Sequence, residues 1–310
     1  MKPIDASVAP PKPVPLREAY AAAEQYIRQH EGMFDFVSKF LPPDRRIAMR
    51  VAFAFFRTAD NMVDRGQVSL ASFRAWRQQA LKPAYEQSDP ILAAWADVRE
   101  RFAIETRYAN DLLDGIEMDA TPRRYANLDE LKDYCYHVAG TVGLMSLKLL
   151  HLAPGVTFDE AAPPAVELCT ALQLTNILRD VGDDLAAGRI YLPAAELAKF
   201  GLTYSDIEAR VYDDRFRALM AHFVGMVRQL YASSWPSLRL LSRTGRFVAG
   251  AGGVYYQVVL DELERRDYDV FSNTIQVSRA RKLWIMLIGW PRIAWPDRWI
   301  AATSLASRGR

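Results

Sequence analysis

Two short rows of acidic side chains have the residue types and the spacing to bind metal ions. Asp60 and Asp64 lie four residues apart, as do Asp180 and Asp184. Side chains at this spacing share one face of an α-helix. Carboxylate oxygens are ligands that Mg²⁺ takes together with phosphate oxygens and water. The two rows therefore predict a site in which two or three Mg²⁺ ions, or Mn²⁺ ions in their place, bridge one diphosphate group.

The first row follows residues 51–56, which are all apolar and predict a helix that is buried nearly all round. Unpaired carboxylates on such a helix would be costly, and bound cations would remove that cost. Arg57 lies about one turn before Asp60. The alternative is a partly exposed helix end, at which nearby arginines pair with the carboxylates.

The second row belongs to a longer polar stripe. Gln173, Asn176, Asp180 and Asp184 follow one another at spacings of three, four and four in an otherwise apolar helical pattern. All four side chains carry oxygen atoms, which suits a hard cation. The alternative is a hydrogen-bond network between helices. Neither row includes a histidine or a cysteine, so we do not expect a zinc site.

The elements that must position these rows are helices. Helical periodicity dominates the chain, and the alternating pattern of strands is nearly absent. The periodicity predicts long helices over residues 44–65, 128–152 and 159–185, which places the two rows on different helices. An apolar, aromatic lining around them would exclude water from a carbocation formed when the diphosphate leaves.

The domain organisation follows from where this helical pattern is interrupted. Five prolines within residues 1–15 predict an extended or disordered arm, and no linker rich in serine or glycine divides the rest. We therefore expect one all-α domain over residues 16–288. Residues 289–310 form a C-terminal tail rich in tryptophan and arginine.

Composition excludes several classes of protein. Half of the 310 residues are hydrophobic and the formal net charge is +2, so there is no basic field to attract nucleic acid. Cys135 and Cys169 lie in apolar helical contexts, which predicts buried reduced thiols and a reducing cytosol. No run of 18 uncharged apolar residues occurs, so no membrane span is expected. No dinucleotide-binding fingerprint occurs either, so we expect no nicotinamide cofactor.

Four segments carry a family resemblance. Residues 173–193 read QLTNILRDVGDDLAAGRIYLP, and residues 134–145 read YCYHVAGTVGLM. Residues 114–119, DGIEMD, and residues 267–271, DYDVF, match as well. Through these segments the chain resembles the squalene/phytoene synthase family, and most of all its phytoene synthase branch, from about residue 16 to about residue 282.

The resemblance implies an all-α isoprenoid synthase fold around a central hydrophobic cavity, with Mg²⁺ bound by the four aspartates. The further residues that it implies are two diphosphate contacts, three tyrosines at the reaction site and two amides that support the second row: Arg57 and Arg179; Tyr136, Tyr191 and Tyr256; Gln173 and Asn176. The implied reaction is a prenyl transfer that joins two geranylgeranyl diphosphates head to head through prephytoene diphosphate.

The sequence departs from the family pattern at three places. Gly32 and Met33 stand where a Lys or Arg followed by a Ser or Thr is usual, residues 273–274 replace one or two arginines, and Phe53 replaces a tyrosine. A charge-assisted hydrogen bond contributes about 1.5–3 kcal/mol, so the missing cations would weaken a clamp for a second diphosphate. We expect Phe53, His30 and Lys282 to contact substrate, with nearby basic residues in part replacing the missing charge.

These departures keep three other activities open. The chain could ionise one allylic diphosphate and transfer the prenyl group to an acceptor without a diphosphate, such as an electron-rich aromatic compound. It could make squalene or dehydrosqualene, or it could bind a prenyl diphosphate without catalysis, although the four aspartates favour an enzyme. Residues 283–300 contain four tryptophans and two arginines, which suits peripheral contact with a membrane as well as a terminal helix docked on the core.

Overall fold

The computed structural model describes residues 13–30, 32–64, 69–121, 123–272 and 275. Over this part of the chain the regular structure is helical without a β-strand, and a single isolated bridge pairs Leu152 with Leu241. The predicted all-α class is thereby confirmed. No helix in these ranges is both long enough and apolar enough to cross a bilayer. The predicted arm and C-terminal tail lie mostly or wholly outside these ranges, so the domain boundaries stay predictions.

The α-helices are α1 (Leu16–His30), α2 (Gly32–Ser38), α3 (Pro43–Asp64), α4 (Leu70–Ala80), α5 (Pro90–Arg101), α6 (Thr106–Met118), α7 (Leu128–Cys135), α8 (Thr141–Leu150), α9 (Phe158–Ala186), α10 (Ala194–Lys199), α11 (Tyr204–Glu208), α12 (Asp214–Ser234) and α13 (Arg243–Arg265). A π-turn covers Tyr136–Gly140, and 3₁₀ turns cover Ala84–Glu86 and Trp235–Leu240.

The central element is α9, which carries the second acid row. It begins with a capping box in which the Thr157 hydroxyl accepts from the Glu160 amide, and the Glu160 carboxylate accepts from the Thr157 amide. Such a cap satisfies amides that the first turn leaves without partners. The helix packs against α8, α12, α13 and the π-turn, and it buries Leu174 and Leu178.

The short helix α2 was not among the sequence predictions. It is fixed to α3 by Arg50, which is only 5% exposed and donates to the Asp35 carboxylate at 2.5 Å and to the Ser38 hydroxyl at 3.1 Å. A buried guanidinium needs such partners, because an unpaired buried charge is strongly destabilising. The pairing holds Phe34 and Val37 of α2 beside the cavity described below.

The predicted helix over residues 128–152 is helical without a break from Leu128 to Leu150, but its α-helical hydrogen-bonding pattern is interrupted by the π-turn between α7 and α8. There the Thr141 amide bonds to the Tyr136 carbonyl, and the Thr141 hydroxyl donates to the His137 carbonyl at 2.6 Å. The widened turn therefore keeps its hydrogen bonds. π-turns inside α-helices occur frequently at functional sites.

Candidate active site

A cavity of about 610 Å³ lies between α3, α6, α8, α9 and α13. Its lining on α9 runs from Ala161 to Asn176, a rise of about 22 Å at 1.5 Å per residue. Most of the lining is aliphatic or aromatic, as in small-molecule sites generally. The cavity is therefore long and apolar, which suits a flexible hydrocarbon chain.

The helices run so that their acidic residues meet at one end of this cavity. At the other end, Arg45 at the start of α3 donates to the Lys148 carbonyl near the end of α8, at 2.7 Å. The end of α8 also touches the start of α13, since a Cβ on Gly245 would lie 2.4 Å from the Leu150 carbonyl oxygen. Asp60, near the other end of α3, and Tyr256, in the second half of α13, both line the cavity.

The first acid row reaches the cavity through Asp60, together with Arg57. The Arg57 guanidinium donates to the Asp60 carboxylate at 2.6 Å, and both side chains are partly exposed. Asp64 is the last residue of α3, but its side chain is outside the described set. Phe53, which stands where the family has a tyrosine, lines the cavity and stacks on Phe34 with ring centroids 3.7 Å apart.

Gln173 and Asn176 of the second row line the cavity directly, whereas Asp180 and Asp184 lie one and two turns further along α9. The Asn176 side-chain nitrogen donates to the Gln173 side-chain oxygen at 3.4 Å. The Asn176 side-chain oxygen is buried without a hydrogen-bond partner. Arg179 holds both oxygens of Asp180, through its Nε at 2.7 Å and its Nη2 at 2.5 Å.

The electrostatics of Asp184 reflect a crowded acidic site. Burial is the main cause that raises the pKa of Asp184 to about 7; Arg189, 3.5 Å away, lowers this pKa, and Asp180 and Asp119 raise it. For Arg179, burial lowers the pKa, but the bonds to Asp180 and the nearby Tyr256 outweigh this and raise it. The arginine is therefore charged at every physiological pH.

A further acid, Asp119, was not predicted as a site residue. It caps the C-terminus of α6 and lines the cavity, and its two oxygens accept from Tyr134 at 2.8 Å and from Tyr191 at 2.7 Å. A carboxylate is unfavourable at a helix C-terminus, and the two phenol donors offset this. Asp119 is the last residue of the segment DGIEMD, which carries part of the family resemblance and is the sequence signal for this residue.

The tyrosines of residues 134–145 divide between two faces. Tyr134 lines the cavity, whereas the Tyr136 hydroxyl donates to Asp111 on α6 at 3.1 Å, and Tyr136 is not part of the lining. Burial, followed by the Asp119 charge, raises the pKa of Tyr134 and of Tyr191, so both phenols remain donors. A reaction-site role for Tyr136 stays a prediction.

The π-turn has a consequence for this lining. Residues of α7, the π-turn and α8 that line the cavity recur about every four positions, from Tyr134 through Val138 and Val142 to Leu150. In a regular α-helix such a stripe would rotate by about 40° at each step, because one turn holds 3.6 residues. The π-turn takes up an extra residue and removes part of that rotation, so one face looks into the cavity throughout.

The remaining predicted contacts differ in position. Tyr191 is buried behind Asp119. His30 is exposed at the end of α1, where its ring stacks on the Tyr26 ring with centroids 4.6 Å apart. The His30 Nδ1 atom also forms a hydrogen bond with the backbone carbonyl of Tyr26. His30 does not line the cavity. Lys282 lies outside the described part of the chain. None of these roles is tested by the geometry, and all three stay predictions.

The segment DYDVF supports the second acid row through its backbone. A Cβ on Gly182, between Asp180 and Asp184, would lie 2.3 Å from the Val270 carbonyl oxygen. The Asp269 carboxylate accepts from the amides of Phe271 and Ser272 at 3.1 and 3.0 Å and so fixes the segment. The missing side chain at position 182 is what allows this close approach.

The residues at the polar end fit a divalent cation. Asn176 offers a buried oxygen without a partner, and Asp184 is a desolvated carboxyl beside two other acids, an arrangement that a cation would stabilise. Within the described ranges, no group of three or more His, Cys, Asp or Glu side chains is already placed to hold an ion. Because arginines engage Asp60 and Asp180, metal binding requires some of these side chains to turn.

An all-α fold with acidic residues at one end of a long apolar cavity is the architecture of an isoprenoid synthase. The chain belongs to the squalene/phytoene synthase family, whose model matches residues 27–281. The predicted family and fold are thereby confirmed.

Relatives and solved structures agree with this assignment. Phytoene synthase 1 of Solanum lycopersicum is 34% identical over 288 residues, covering 89% of this chain and 70% of the relative. A 15-cis-phytoene synthase of Synechococcus elongatus is 34% identical over 280 residues, covering 86% and 91%. A dehydrosqualene synthase solved with a ligand superposes with a TM-score of 0.81 at 28% identity, over 90% of this chain and 98% of that one. The squalene synthase HpnC of Alicyclobacillus acidocaldarius gives 0.72 at 27% identity, over 82% and 97%.

Proposed function

We propose that this chain is a Mg²⁺-dependent prenyltransferase with phytoene synthase activity, which condenses two geranylgeranyl diphosphates head to head. The observation that carries the proposal is an apolar cavity that follows α9 over about 22 Å, has Asp60 and Asp119 in its lining, and is followed along α9 by Asp180 and Asp184. Relatives named phytoene synthase, 34% identical over most of the chain, support this choice of substrate.

The reaction has two halves. In the first, the allylic C–O bond of one substrate breaks and releases diphosphate, and its C1 joins the C2–C3 double bond of the second substrate with loss of a proton, which gives prephytoene diphosphate. In the second, the remaining C–O bond breaks, the cyclopropane rearranges, and loss of a proton gives phytoene. Two diphosphates and two protons leave per product, and no reductant is consumed. The released diphosphate is our candidate for the base.

Side chains at the polar end bind and orient the diphosphates. Bound Mg²⁺ supplies the positive charge that stabilises the leaving diphosphate. Arg57 lines the cavity and can donate to phosphate oxygens when it turns from Asp60. Tyr134 and Tyr191 keep Asp119 in one orientation. The apolar walls exclude water, which would otherwise capture the carbocation.

The direct test incubates the purified chain with dimethylallyl, farnesyl or geranylgeranyl diphosphate, each with Mg²⁺ and without a reductant. We expect a C40 hydrocarbon from geranylgeranyl diphosphate alone, with two diphosphates released per product, and no product after chelation of the metal. A C30 hydrocarbon from farnesyl diphosphate as the preferred product would replace this proposal with squalene- or dehydrosqualene-type synthesis.

Transfer to an acceptor without a diphosphate is the second candidate. The observation in its favour is the small number of cationic side chains at the cavity. Within the described ranges, Arg57 is the only lysine or arginine that lines it. Two diphosphates carry more negative charge than one guanidinium can balance. This candidate predicts release of one diphosphate and prenyl alcohol from the substrate alone, and a new prenylated product when electron-rich aromatic compounds are added.

We also propose peripheral contact with a membrane. The C-terminal segment predicted for this role lies outside the described residues, but a second surface supports the idea. Phe36 and Phe40 are 45% and 47% exposed. Phe40 packs on Phe247, which lines the cavity, with ring centroids 4.5 Å apart. Exposed aromatics beside an apolar cavity suit a membrane interface.

Both cysteines are free thiols, which fits the predicted reducing cytosol.

Flotation with vesicles of phosphatidylcholine and phosphatidylglycerol tests this contact without substrate. We expect the double variant Phe36→Ser/Phe40→Ser and a deletion of residues 290–310 each to reduce the bound fraction. The matched control is Leu70→Ser/Tyr85→Ser, which removes two other exposed apolar side chains from a different part of the surface. Equal binding by all variants would contradict the proposal.

A further inference from the structure

Gly252 on α13 differs from several other described helical glycines in the space around it. A Cβ added to Gly182 would lie 2.3 Å from a backbone oxygen, on Gly143 it would lie 2.7 Å from the Cys169 sulfur, and on Gly253 it would lie 2.6 Å from Trp235. At these positions close packing requires glycine. Around Gly252 nothing lies within 4 Å of the added Cβ, and its φ angle is an ordinary helical one.

Neither packing nor backbone geometry therefore explains the glycine at position 252. Glycine weakens a helix relative to alanine because the unfolded chain loses more conformational freedom. What the missing side chain provides is space, because Gly252 lines the cavity. The open volume around its Cβ position is the volume in which a hydrocarbon chain would lie.

The position along the cavity is defined by two neighbours on α13. Tyr256, one turn later on the same face, lines the polar end and lies near Arg179. Phe247, at the start of α13, lines the opposite end and is 8% exposed. At 1.5 Å per residue, Gly252 is about 6 Å from the level of Tyr256 and about 7.5 Å from that of Phe247. It lies between the diphosphate end and the far apolar end.

We propose that Gly252 determines which prenyl chain length the cavity accepts. Because it has no side chain, the cavity stays continuous from Tyr256 to Phe247, and a 20-carbon chain passes this point. A larger residue would narrow the cavity at this level, and a 20-carbon chain, which fills more of the space beyond this point than a shorter chain does, would be hindered more. This inference rests on the proposed prenyltransferase function and adds the residue that sets substrate length.

The test compares Gly252→Ala and Gly252→Leu with the same two substitutions at Gly225. Gly225 lies within α12, is exposed, and also has nothing within 4 Å of an added Cβ, so these variants control for the change in helix composition. One extra methylene in an apolar pocket changes discrimination by about 10- to 200-fold. We therefore expect Gly252→Leu to shift the ratio of kcat/KM for geranylgeranyl over farnesyl diphosphate by that factor towards farnesyl diphosphate. Gly252→Ala should shift it less, and the Gly225 variants should not shift it.

Binding provides a second readout that does not require turnover. The dissociation constants of farnesyl and geranylgeranyl thiolodiphosphates, measured by calorimetry, should change in the same ratio. If the wild-type chain makes no C40 hydrocarbon, the proposed function fails, while the binding ratio still tests Gly252. If Gly252→Leu does not fold, Gly252→Ala decides, because alanine favours the helix and should not lower the melting temperature. An unchanged length preference in a folded Gly252 variant would overturn the inference.

Discussion

At the polar end of the cavity, functional side chains are held by directed bonds: Arg179 contacts both oxygens of Asp180, and Asp119 accepts from Tyr134 and Tyr191. Over the apolar body, the described lining is mostly aliphatic and aromatic, and its volume defines the space for the substrate, as the open space at Gly252 shows. This difference predicts that the polar end and the apolar body respond to different kinds of substitution. Changing one atom should matter at the polar end, and changing volume should matter in the apolar body.

The largest effect is expected for Asp180→Asn, which keeps the shape of the side chain and removes its charge. We propose that Asp180 binds Mg²⁺. Loss of a carboxylate metal ligand removes several kcal/mol of transition-state stabilisation, so we expect kcat to fall roughly 10³-fold in steady-state assays with saturating Mg²⁺.

The matched control for Asp180→Asn is Asp183→Asn, which removes the same charge from an exposed position on the same helix. Circular dichroism should show both variants folded. If Asp183→Asn is equally inactive, net charge rather than directed binding governs the polar end.

A smaller effect is expected for Tyr134→Phe, which leaves Asp119 with one phenol donor in place of two. Loss of a group that orients a site residue typically costs about 10- to 100-fold, and we expect kcat to fall within this range with little change in stability. The measurement is a Michaelis curve at fixed Mg²⁺, together with a thermal melt.

Tyr136→Phe is the comparison variant, because it removes a hydroxyl that bonds Asp111 outside the cavity lining. We expect its kcat to stay within about threefold of wild type, below the tenfold that 1.36 kcal/mol represents. A loss as large as that of Tyr134→Phe would support the sequence-based role of Tyr136 and would count against the division of the two faces.

The same pair of tyrosines shows how far the sequence could lead. The four-residue spacing of Asp180 and Asp184 was enough to place both on one helix face, and the family segments were enough to give the fold. Tyr134 and Tyr136 lie about 200° apart around a helix, and which of them looks inward depends on how that helix is rotated against its neighbours. Asp119 becomes a site residue only because Tyr134 and Tyr191, 15 and 72 positions away, meet it in the folded chain.

The next effect is on stability, and it separates Gly182, which packs against the DYDVF segment, from Gly252, which lines the cavity. Gly182→Ala would place a Cβ 2.3 Å from the Val270 carbonyl oxygen, so α9 or the DYDVF segment must move. Overpacking of this kind typically costs about 1–3 kcal/mol. Gly252→Ala meets no atom within 4 Å, so we expect it to raise the free energy of unfolding by about 0.5–1 kcal/mol.

Urea denaturation measures both changes. A loss of stability in Gly252→Ala would mean that the cavity wall is more tightly packed than its open space suggests. An unchanged stability in Gly182→Ala would mean that the Val270 segment yields at little cost, and the close approach would then not explain the glycine.

The smallest effect is expected for Leu147→Met in the apolar body. Leu147 is 5% exposed and lines the cavity on α8, and methionine has a similar volume with a more flexible side chain. Volume-conserving exchanges usually cost less than about 1.5 kcal/mol, so we expect both the melting temperature and kcat/KM to change little. This exchange is the apolar counterpart of Asp180→Asn, since each keeps the approximate size of the side chain. If Leu147→Met lowered kcat/KM as strongly as Asp180→Asn, the apolar wall would have to position the prenyl chain through specific contacts, and its volume alone would no longer account for its role.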